Sequence, residues 1–219
     1  GDEVDGPITV TPWLKSDPVL GNDPVIIVPG INGTRLLEGD EEVWPRQLSL
    51  LLSPFDTYLN SLKLLVTGEV DPAHNIAVGD IIRDVPGSDI FQGLITELIK
   101  NGYQEGVDLF VLPYDWRLSN TVNAPLLKAR IDEALRKSGK EKVDIVAHSM
   151  GGVLAKEYIA TFGKGSVDQL IFVGTPHLGA PKAYKALMYG DDMGITKFGI
   201  SLLSQQRIKS ISQNMSSMF

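Results

Sequence analysis

The sequence contains no cysteine, and histidine occurs only three times among its 219 residues. Without cysteine, a disulfide framework, a thiolate metal site and a thiol nucleophile are excluded, and redox chemistry gives no indication of the compartment. Positive charge is also scarce, since 20 Lys and Arg stand against 27 Asp and Glu, for a formal net charge of −7. Because binding to a nucleic-acid backbone needs clustered Lys and Arg, we expect no nucleic-acid partner.

Long apolar runs are missing as well. No stretch approaches the roughly 18 to 20 apolar residues of a membrane span, and the first seven residues are acidic rather than basic and apolar. We therefore expect neither a span nor a signal peptide in this sequence, and we hypothesise that Gly1 is the remnant of a cleaved tag. We expect one domain over residues 24–219, after an irregular lead-in of residues 1–23 with a short strand at 8–10.

The sequence does contain short apolar runs that alternate with longer segments of helical period. The runs cover residues 25–28, 107–112, 143–147 and 170–173. Helical spacing is found at 90–99, with Ser88 or Asp89 as the candidate N-cap, at 124–138, and from Ser149 to about Gly163. This alternation predicts the α/β class, with a mainly parallel sheet covered by helices on both faces.

The segment 143–152 reads as a strand that runs directly into small residues around Ser149. It matches the G-x-S-x-G nucleophile elbow, with Ala147 in place of the first glycine and Gly151 as the second. The strained strand-to-helix turn of an elbow requires small residues two before and two after the serine. A flexible serine turn at a strand end is the competing interpretation, but the strand-turn-helix context favours Ser149 as a nucleophile.

A second glycine-containing loop, residues 29–33, follows the first clear strand. In a hydrolase with an elbow, this loop supplies one backbone N–H of the oxyanion hole, and the residue after the nucleophile supplies the other. The predicted donors are therefore the N–H groups of Ile31 and Met150. Taken without the serine motif, the loop would be interpreted as an ordinary glycine turn.

Four segments together resemble the lecithin:cholesterol acyltransferase-like lipases and phospholipases. They are Pro24-Val25-Ile26-Ile27-Val28-Pro29-Gly30, Tyr114-Asp115-Trp116-Arg117, Ala147-His148-Ser149-Met150-Gly151-Gly152 and Gly174-Thr175-Pro176-His177-Leu178-Gly179-Ala180-Pro181. The resemblance spans about residues 24–181, and residues 207–219 look like the segment just before the lid of such proteins; their disulfide-paired loop has no counterpart here.

This resemblance implies an α/β-hydrolase fold that lacks its later strands and lid. It also implies a serine esterase, lipase, phospholipase or acyltransferase that acts on an ester or lipid through an acyl-enzyme, with no cofactor and no metal. For the location of the protein, it favours a secreted or cell-envelope position. A hydrolase-like binding module that performs no chemistry is the alternative.

A serine nucleophile needs a histidine base and an acid that orients the base. Only His74, His148 and His177 are available. His177 follows the nucleophile, but in this fold the acid precedes the histidine, and the acids between Ser149 and His177 are poorly placed. We therefore expect the acid and the histidine to lie beyond Phe219 and the 219-residue chain to be inactive, with His177 kept as the less favoured base.

Three further features have both a functional and a structural interpretation. An apolar patch is formed by Trp44, Leu48, Leu50, Leu51, Leu52 and Phe55. It can make transient contact with lipid at a membrane interface or line an acyl pocket, or it can pack as a helix on the core. Residues 115–117 are interpreted as a buried, charge-paired structural bracket, and the acidic pair at 191–192 as a cation ligand or a solvated pair. The strand at 170–173 is predicted to be a sheet edge, covered by a second chain or by the tail from about residue 185.

Overall fold

The computed structural model describes residues 23–45, 57–191 and 205–218. The predicted strand at 8–10, the apolar residues between 48 and 55 and the second acid of the 191–192 pair lie outside the described residues. The described strands are β1 (Val25–Val28), β2 (Thr34–Glu38), β3 (Glu41–Trp44), β4 (Ile76–Ile81), β5 (Asp84–Val85), β6 (Ser88–Asp89), β7 (Leu109–Val111), β8 (Val143–His148) and β9 (Val167–Val173).

The described α-helices are α1 (Gln92–Lys100), α2 (Asn120–Ser138), α3 (Met150–Phe162), α4 (Pro181–Tyr189) and α5 (Gln205–Ser212). Short 3-10 helices cover Thr57–Leu62 and Ser216–Met218. No helix among the described residues is long and apolar enough to cross a membrane.

A four-stranded sheet in the order β7-β1-β8-β9 forms the centre of the fold, and all of its pairings are parallel. These are the four strands predicted from the apolar runs. β7 is shorter than predicted because Val107 and Asp108 donate their N–H groups to Gln104 in a turn. β9 begins three residues earlier than predicted and ends where expected, at Val173.

Helices cover both faces of the sheet, as predicted. On one face, Leu127 of α2 and Leu154 of α3 pack with Ile26 and Ile145 in the larger of two apolar clusters. On the other face, Ile95 of α1 packs with the neighbouring strand residues, whose side chains point the opposite way. The sheet is therefore buried on both sides at β1, as its unbroken apolar sequence requires.

Helix α2 ends at Ser138 as predicted but begins at Asn120, four residues earlier than predicted, and the start of α1 also differs from the prediction. Ser119 caps α2 by accepting a hydrogen bond from Val122 N–H at 3.4 Å, and Gly139, with a φ of 68°, ends it. The predicted N-cap of α1 at Ser88 or Asp89 is wrong, since the N-cap is Phe91 and these two residues form β6. The Asp89 carboxylate nevertheless accepts a hydrogen bond from Gly93 N–H at 3.0 Å, so it satisfies a first-turn donor from outside the helix.

A second sheet, in the order β3-β2-β4 and antiparallel, was not predicted. β2 and β3 form a hairpin around Gly39 and Asp40, and Gly39 has the positive φ of 61° that such a tight turn requires. β2 leads directly out of the loop that was predicted to hold an oxyanion, so this sheet fixes one end of that loop.

β9 lies at the edge of the central sheet, as predicted, and β8 is its one strand partner among the described residues. The side chains of Ile171, Phe172 and Val173 are 47%, 39% and 47% exposed. The described tail elements do not pair with this edge: α5 packs on α4 and on the 3-10 helix at Thr57–Leu62. Coverage by the tail is therefore not found in the described part of the chain.

Candidate functional site

Ser149 occupies the single residue between β8 and α3. Its φ of 51° and ψ of −123° are unusual for a non-glycine residue, as expected for an elbow. Its N–H donates to the Val173 carbonyl at 2.8 Å, so the end of β9 braces the turn. Ser149 therefore lies at the carboxyl edge of the sheet, where parallel α/β sheets place their ligands, in a strained conformation that its surroundings hold.

The small residues around Ser149 are needed because other backbone segments approach closely. A Cβ atom on Gly151 would lie 2.4 Å from the Pro29 carbonyl oxygen. A Cβ on Gly152 would lie 2.0 Å from the Thr175 hydroxyl oxygen. Two glycines in succession therefore let the first turn of α3 pack between the loop after β1 and the loop after β9.

The loop after β1 lies directly against the nucleophile. A Cβ on Gly30 would lie 2.8 Å from the Ser149 Cβ and 3.1 Å from the His148 carbonyl oxygen. From Gly30 the chain makes a four-residue turn, closed by a hydrogen bond from Gly33 N–H to the Gly30 carbonyl at 3.1 Å. Asn32 has a φ of 63°, and Ile31 is not among the residues with positive φ, which together define a type II turn.

The geometry of this turn directs the Ile31 N–H outward. The Gly30 carbonyl points into the turn, and the Ile31 N–H lies on the opposite side of the same planar, trans peptide. Within the described part of the chain, no group accepts a hydrogen bond from it. Met150 is the first residue of α3, and N–H groups at that position have no partner inside the helix. Both N–H groups predicted for the oxyanion hole are therefore available, on segments that meet at Ser149.

Two aromatic side chains donate hydrogen bonds to carbonyl groups of this loop, and a third donates to the carbonyl of Thr34, the first residue of β2. The Tyr114 hydroxyl donates to the Pro29 carbonyl at 2.8 Å, the Trp44 indole N–H to Asn32 at 3.0 Å, and the Trp116 indole N–H to Thr34 at 3.0 Å. Burial raises the pKa of Tyr114, so its hydroxyl remains a proton donor. None of these contacts was predicted. The sequence feature that could have indicated them is the presence of aromatic residues at or just after the ends of strands.

The bracket predicted at 115–117 is present. The Arg117 guanidinium donates to both carboxylate oxygens of Asp115, at 2.9 and 2.6 Å, and a third nitrogen donates to the Leu62 carbonyl at 3.1 Å. Arg117 is fully buried and Asp115 is 7% exposed. A buried, bidentate ion pair fixes the chain at this point, and it therefore orients Tyr114 and Trp116 towards the loop.

The three histidines lie in different places. His148 packs edge-on against Phe91 with ring centroids 5.9 Å apart, and burial lowers its pKa. His177 packs edge-on against Phe172 at 4.7 Å, at the same end of the sheet as Ser149. His74 pairs with Glu38 at 2.7 Å on the second sheet. Across the described residues, no histidine ring hydrogen-bonds to Ser149.

One acidic group lies at the opposite edge of the sheet. Carboxylate oxygens of Asp23, Asp144 and Asp168 lie within 4.8 Å of one another near the starts of the strands. The Lys142 ammonium contacts Asp168 at 3.0 Å, and Asp144 accepts a hydrogen bond from Gln169 N–H at 3.1 Å. A lysine already neutralises part of this charge, and the group is remote from Ser149.

The parallel sheet, its two helical layers and the strained serine turn define the chain as an α/β-hydrolase. The family model of lecithin:cholesterol acyltransferase matches residues 81–219. The chain belongs to the lecithin:cholesterol acyltransferase family.

Two relatives are similar in sequence over most of this chain. Phospholipase A(1) LCAT3 of Arabidopsis thaliana is 30% identical over 195 residues, which cover 74% of this chain and 43% of that protein. The lysosomal phospholipase A and acyltransferase of Homo sapiens is 27% identical over 239 residues, covering 89% of this chain and 57% of that protein. A solved structure, the mature form of Bacillus licheniformis lipase BlEst2, has a TM-score of 0.45 and 18% identity, covering 93% of this chain and 63% of that one. The chain spans about half the length of the relatives it matches.

Proposed function

We propose that the full-length protein cleaves or transfers acyl groups of lipid esters through an acyl-enzyme on Ser149. The observation that carries this proposal is the strained Ser149 turn, with φ 51° and ψ −123°, packed directly against the Gly30 loop. Strain of this kind persists where the surrounding structure enforces it, and it clusters at active sites.

In the proposed reaction the Ser149 hydroxyl attacks the ester carbonyl while a histidine takes its proton. The carbonyl oxygen becomes the oxyanion of a tetrahedral intermediate, which the N–H groups of Ile31 and Met150 stabilise. Collapse expels the alcohol, which receives the proton from the histidine, and leaves the acyl group on Ser149. Water or an acceptor alcohol then attacks the acyl-enzyme by the same steps in reverse.

We propose that the base and its acid lie outside these 219 residues. His148 and His177 both lie at the carboxyl end of the sheet, but the His148 ring packs on Phe91 and the His177 ring on Phe172. Asp168 is at the opposite edge. Robust activity of the 219-residue chain, lost in His177→Gln, would assign the base to His177 instead.

For the substrate, we propose a glycerophospholipid. The support is that relatives are named phospholipase A(1) in Arabidopsis thaliana and lysosomal phospholipase A and acyltransferase in Homo sapiens. Hydrolysis and transfer use the same site and differ only in the nucleophile that attacks the acyl-enzyme. Free fatty acid from phosphatidylcholine vesicles reports hydrolysis, and a new ester in the presence of a long-chain alcohol reports transfer.

The test compares the full-length protein with its Ser149→Ala variant on phosphatidylcholine vesicles. Loss of the nucleophile in a serine hydrolase costs about 10⁶ in kcat, so we expect no measurable turnover. Ser138→Ala is the matched control, because Ser138 lies at the end of α2, where its hydroxyl donates to the Ala134 and Leu135 carbonyls and accepts from the Lys140 N–H.

The alternative, a binding module without chemistry, is favoured by the absence of a histidine contact to Ser149 in the described part of the chain. A fluorophosphonate probe separates the two functions, because it reacts with an activated serine. Full-length protein that binds phospholipid, resists the probe and releases no fatty acid would establish the binding module.

A further inference from the structure

The turn that carries Ile31 contains a residue in a left-handed conformation. Asn32 has a φ of 63°. Asparagine adopts this region more readily than most residues, but the conformation is still unfavourable for an L-residue. Such a turn stays in place only when other contacts restrain it, so the groups that hold it decide where the Ile31 N–H points.

The peptide between Asn32 and Gly33 is restrained at both ends. Its N–H donates to the Gly30 carbonyl at 3.1 Å, and its carbonyl accepts the hydrogen bond from the Trp44 indole at 3.0 Å. An indole nitrogen can only donate. The Trp44 contact therefore fixes the direction of the carbonyl and, through the planar peptide, the plane of the turn.

Trp44 is itself held firmly. Its side chain is 8% exposed, it ends β3, and its ring packs edge-on against Trp116 with centroids 5.5 Å apart. An aromatic ring enclosed in this way does not follow a turn that shifts. The indole thus connects the second sheet to the loop that lies against Ser149.

We propose that Trp44 is a positioning residue for acyl transfer. Its indole N–H holds the Asn32 carbonyl, and this contact keeps the Ile31 N–H directed at the oxyanion that forms on attack by Ser149. The proposal rests on the proposed function. Trp44 acts through the turn, so its removal changes the stabilisation of the transition state rather than the binding of the substrate.

Trp116 provides a matched comparison within the same structure. It also donates an indole N–H to a backbone carbonyl at 3.0 Å, and it is 3% exposed. Its acceptor is Thr34, the first residue of β2, which is also fixed by pairing with Ile81 of β4. Loss of the Trp116 donor therefore leaves the turn between Gly30 and Gly33 in place.

The experiment compares Trp44→Phe and Trp116→Phe in the full-length protein. Removal of a whole oxyanion-hole donor costs about 10² to 10³ in kcat. Because Trp44→Phe misdirects a donor without deleting it, we expect a loss of about tenfold in kcat, with KM changed by less than about twofold. Trp116→Phe keeps an aromatic ring beside Trp44 and leaves the hydrogen bond from Trp44 to Asn32 in place, so we expect a loss of kcat of less than about twofold. An equal loss of kcat in both variants, or none in Trp44→Phe, overturns the proposal.

Amide hydrogen exchange separates this proposal from the proposed function. Trp44→Phe should increase the exchange rate of the Gly33 N–H about tenfold, because opening of the turn exposes that donor, and Trp116→Phe should not. An unchanged rate refutes the role of Trp44 whether or not the protein is active. If the wild type shows no Ser149-dependent turnover but Trp44→Phe still increases the exchange rate of the Gly33 N–H, only the proposed function is refuted. The restraint of the turn by Trp44 is then still supported.

If Trp44→Phe does not fold, benzothienylalanine at position 44 provides a second test. This analogue keeps the volume of the indole and replaces its N–H with sulfur. We expect the same tenfold loss of kcat and the same increase in Gly33 exchange at an unchanged fold. A benzothienylalanine protein with wild-type kcat and wild-type exchange overturns the proposal.

Discussion

Substitution of Gly30 by alanine tests how closely the loop approaches the nucleophile. The added methyl group would lie 2.8 Å from the Ser149 Cβ and 3.1 Å from the His148 carbonyl oxygen, so the loop or the serine turn must move. Overpacking of this kind costs about 1 to 3 kcal/mol. For a chain of this size, that cost corresponds to a decrease in Tm of about 2 to 12 °C. Since Ile31 is the next residue, we also expect a loss of kcat approaching the ~10² of one oxyanion-hole donor.

Gly165→Ala is the matched control, because a Cβ at Gly165 has no neighbour within 4 Å and its φ is not positive. Thermal unfolding followed by circular dichroism, and fatty-acid release by the full-length variants, give the two readouts. We expect the control to keep the wild-type kcat and a Tm within the range of ordinary surface substitutions. Gly30→Ala with wild-type Tm and kcat would refute the close approach of the loop to Ser149.

Two further predictions concern the bracket and the sheet edge. Asp115→Ala leaves the fully buried Arg117 without its ion partner, so we expect the free energy of unfolding in urea to fall by about 3 to 5 kcal/mol. Asp132→Ala, in the exposed pair with Lys128, should have a much smaller effect. A loss below about 1 kcal/mol for Asp115→Ala contradicts a buried pair. Ile171→Lys, at the β9 edge, should reduce self-association of the 219-residue chain in sedimentation velocity, whereas Val66→Lys, at an exposed position outside that edge, should not. A wild-type chain that stays monomeric at every concentration would rule out this mode of association.

The central sheet could be predicted because each of its strands carries a short, mainly apolar run. Val25–Val28 is an unbroken apolar run between turn residues, and β8 carries an apolar run that is interrupted by Asp144. The Ser149 turn could also be predicted, since the steric demand of the elbow restricts which residues flank it. The apolar strands and the serine turn both depend on residues that are adjacent in the sequence, so one sequence is enough to predict them.

The second sheet was missed because its strands carry no continuous apolar signal. In β3, two exposed or half-buried glutamates precede Val43 and Trp44. The Gly39-Asp40 pair between two short extended segments is a two-residue hairpin signal, and it was the observation that could have revealed β2 and β3.

The hydrogen bonds from aromatic side chains to the Gly30 loop and to the start of β2 could not be predicted from local sequence. Tyr114 and Trp116 bond to residues 85 and 82 positions away along the chain. These contacts exist because β1 and β7 pair in parallel, so that both strand ends reach the same edge of the sheet. Only the topology brings such donors and acceptors together.

The register of the two central strands has a consequence for the positions of the reacting groups. Val28 pairs with Ala147 and Ile26 with Ile145, so the Gly30 loop and Ser149 are direct continuations of neighbouring strands. A displacement of 1 Å at a reacting group can cost about 10² in rate. Ile26 lies on β1, which leads into the Gly30 loop, so we expect a change in the volume of its side chain to move that loop relative to Ser149. The packing of the core and the positions of the reacting groups therefore depend on the same strand residues.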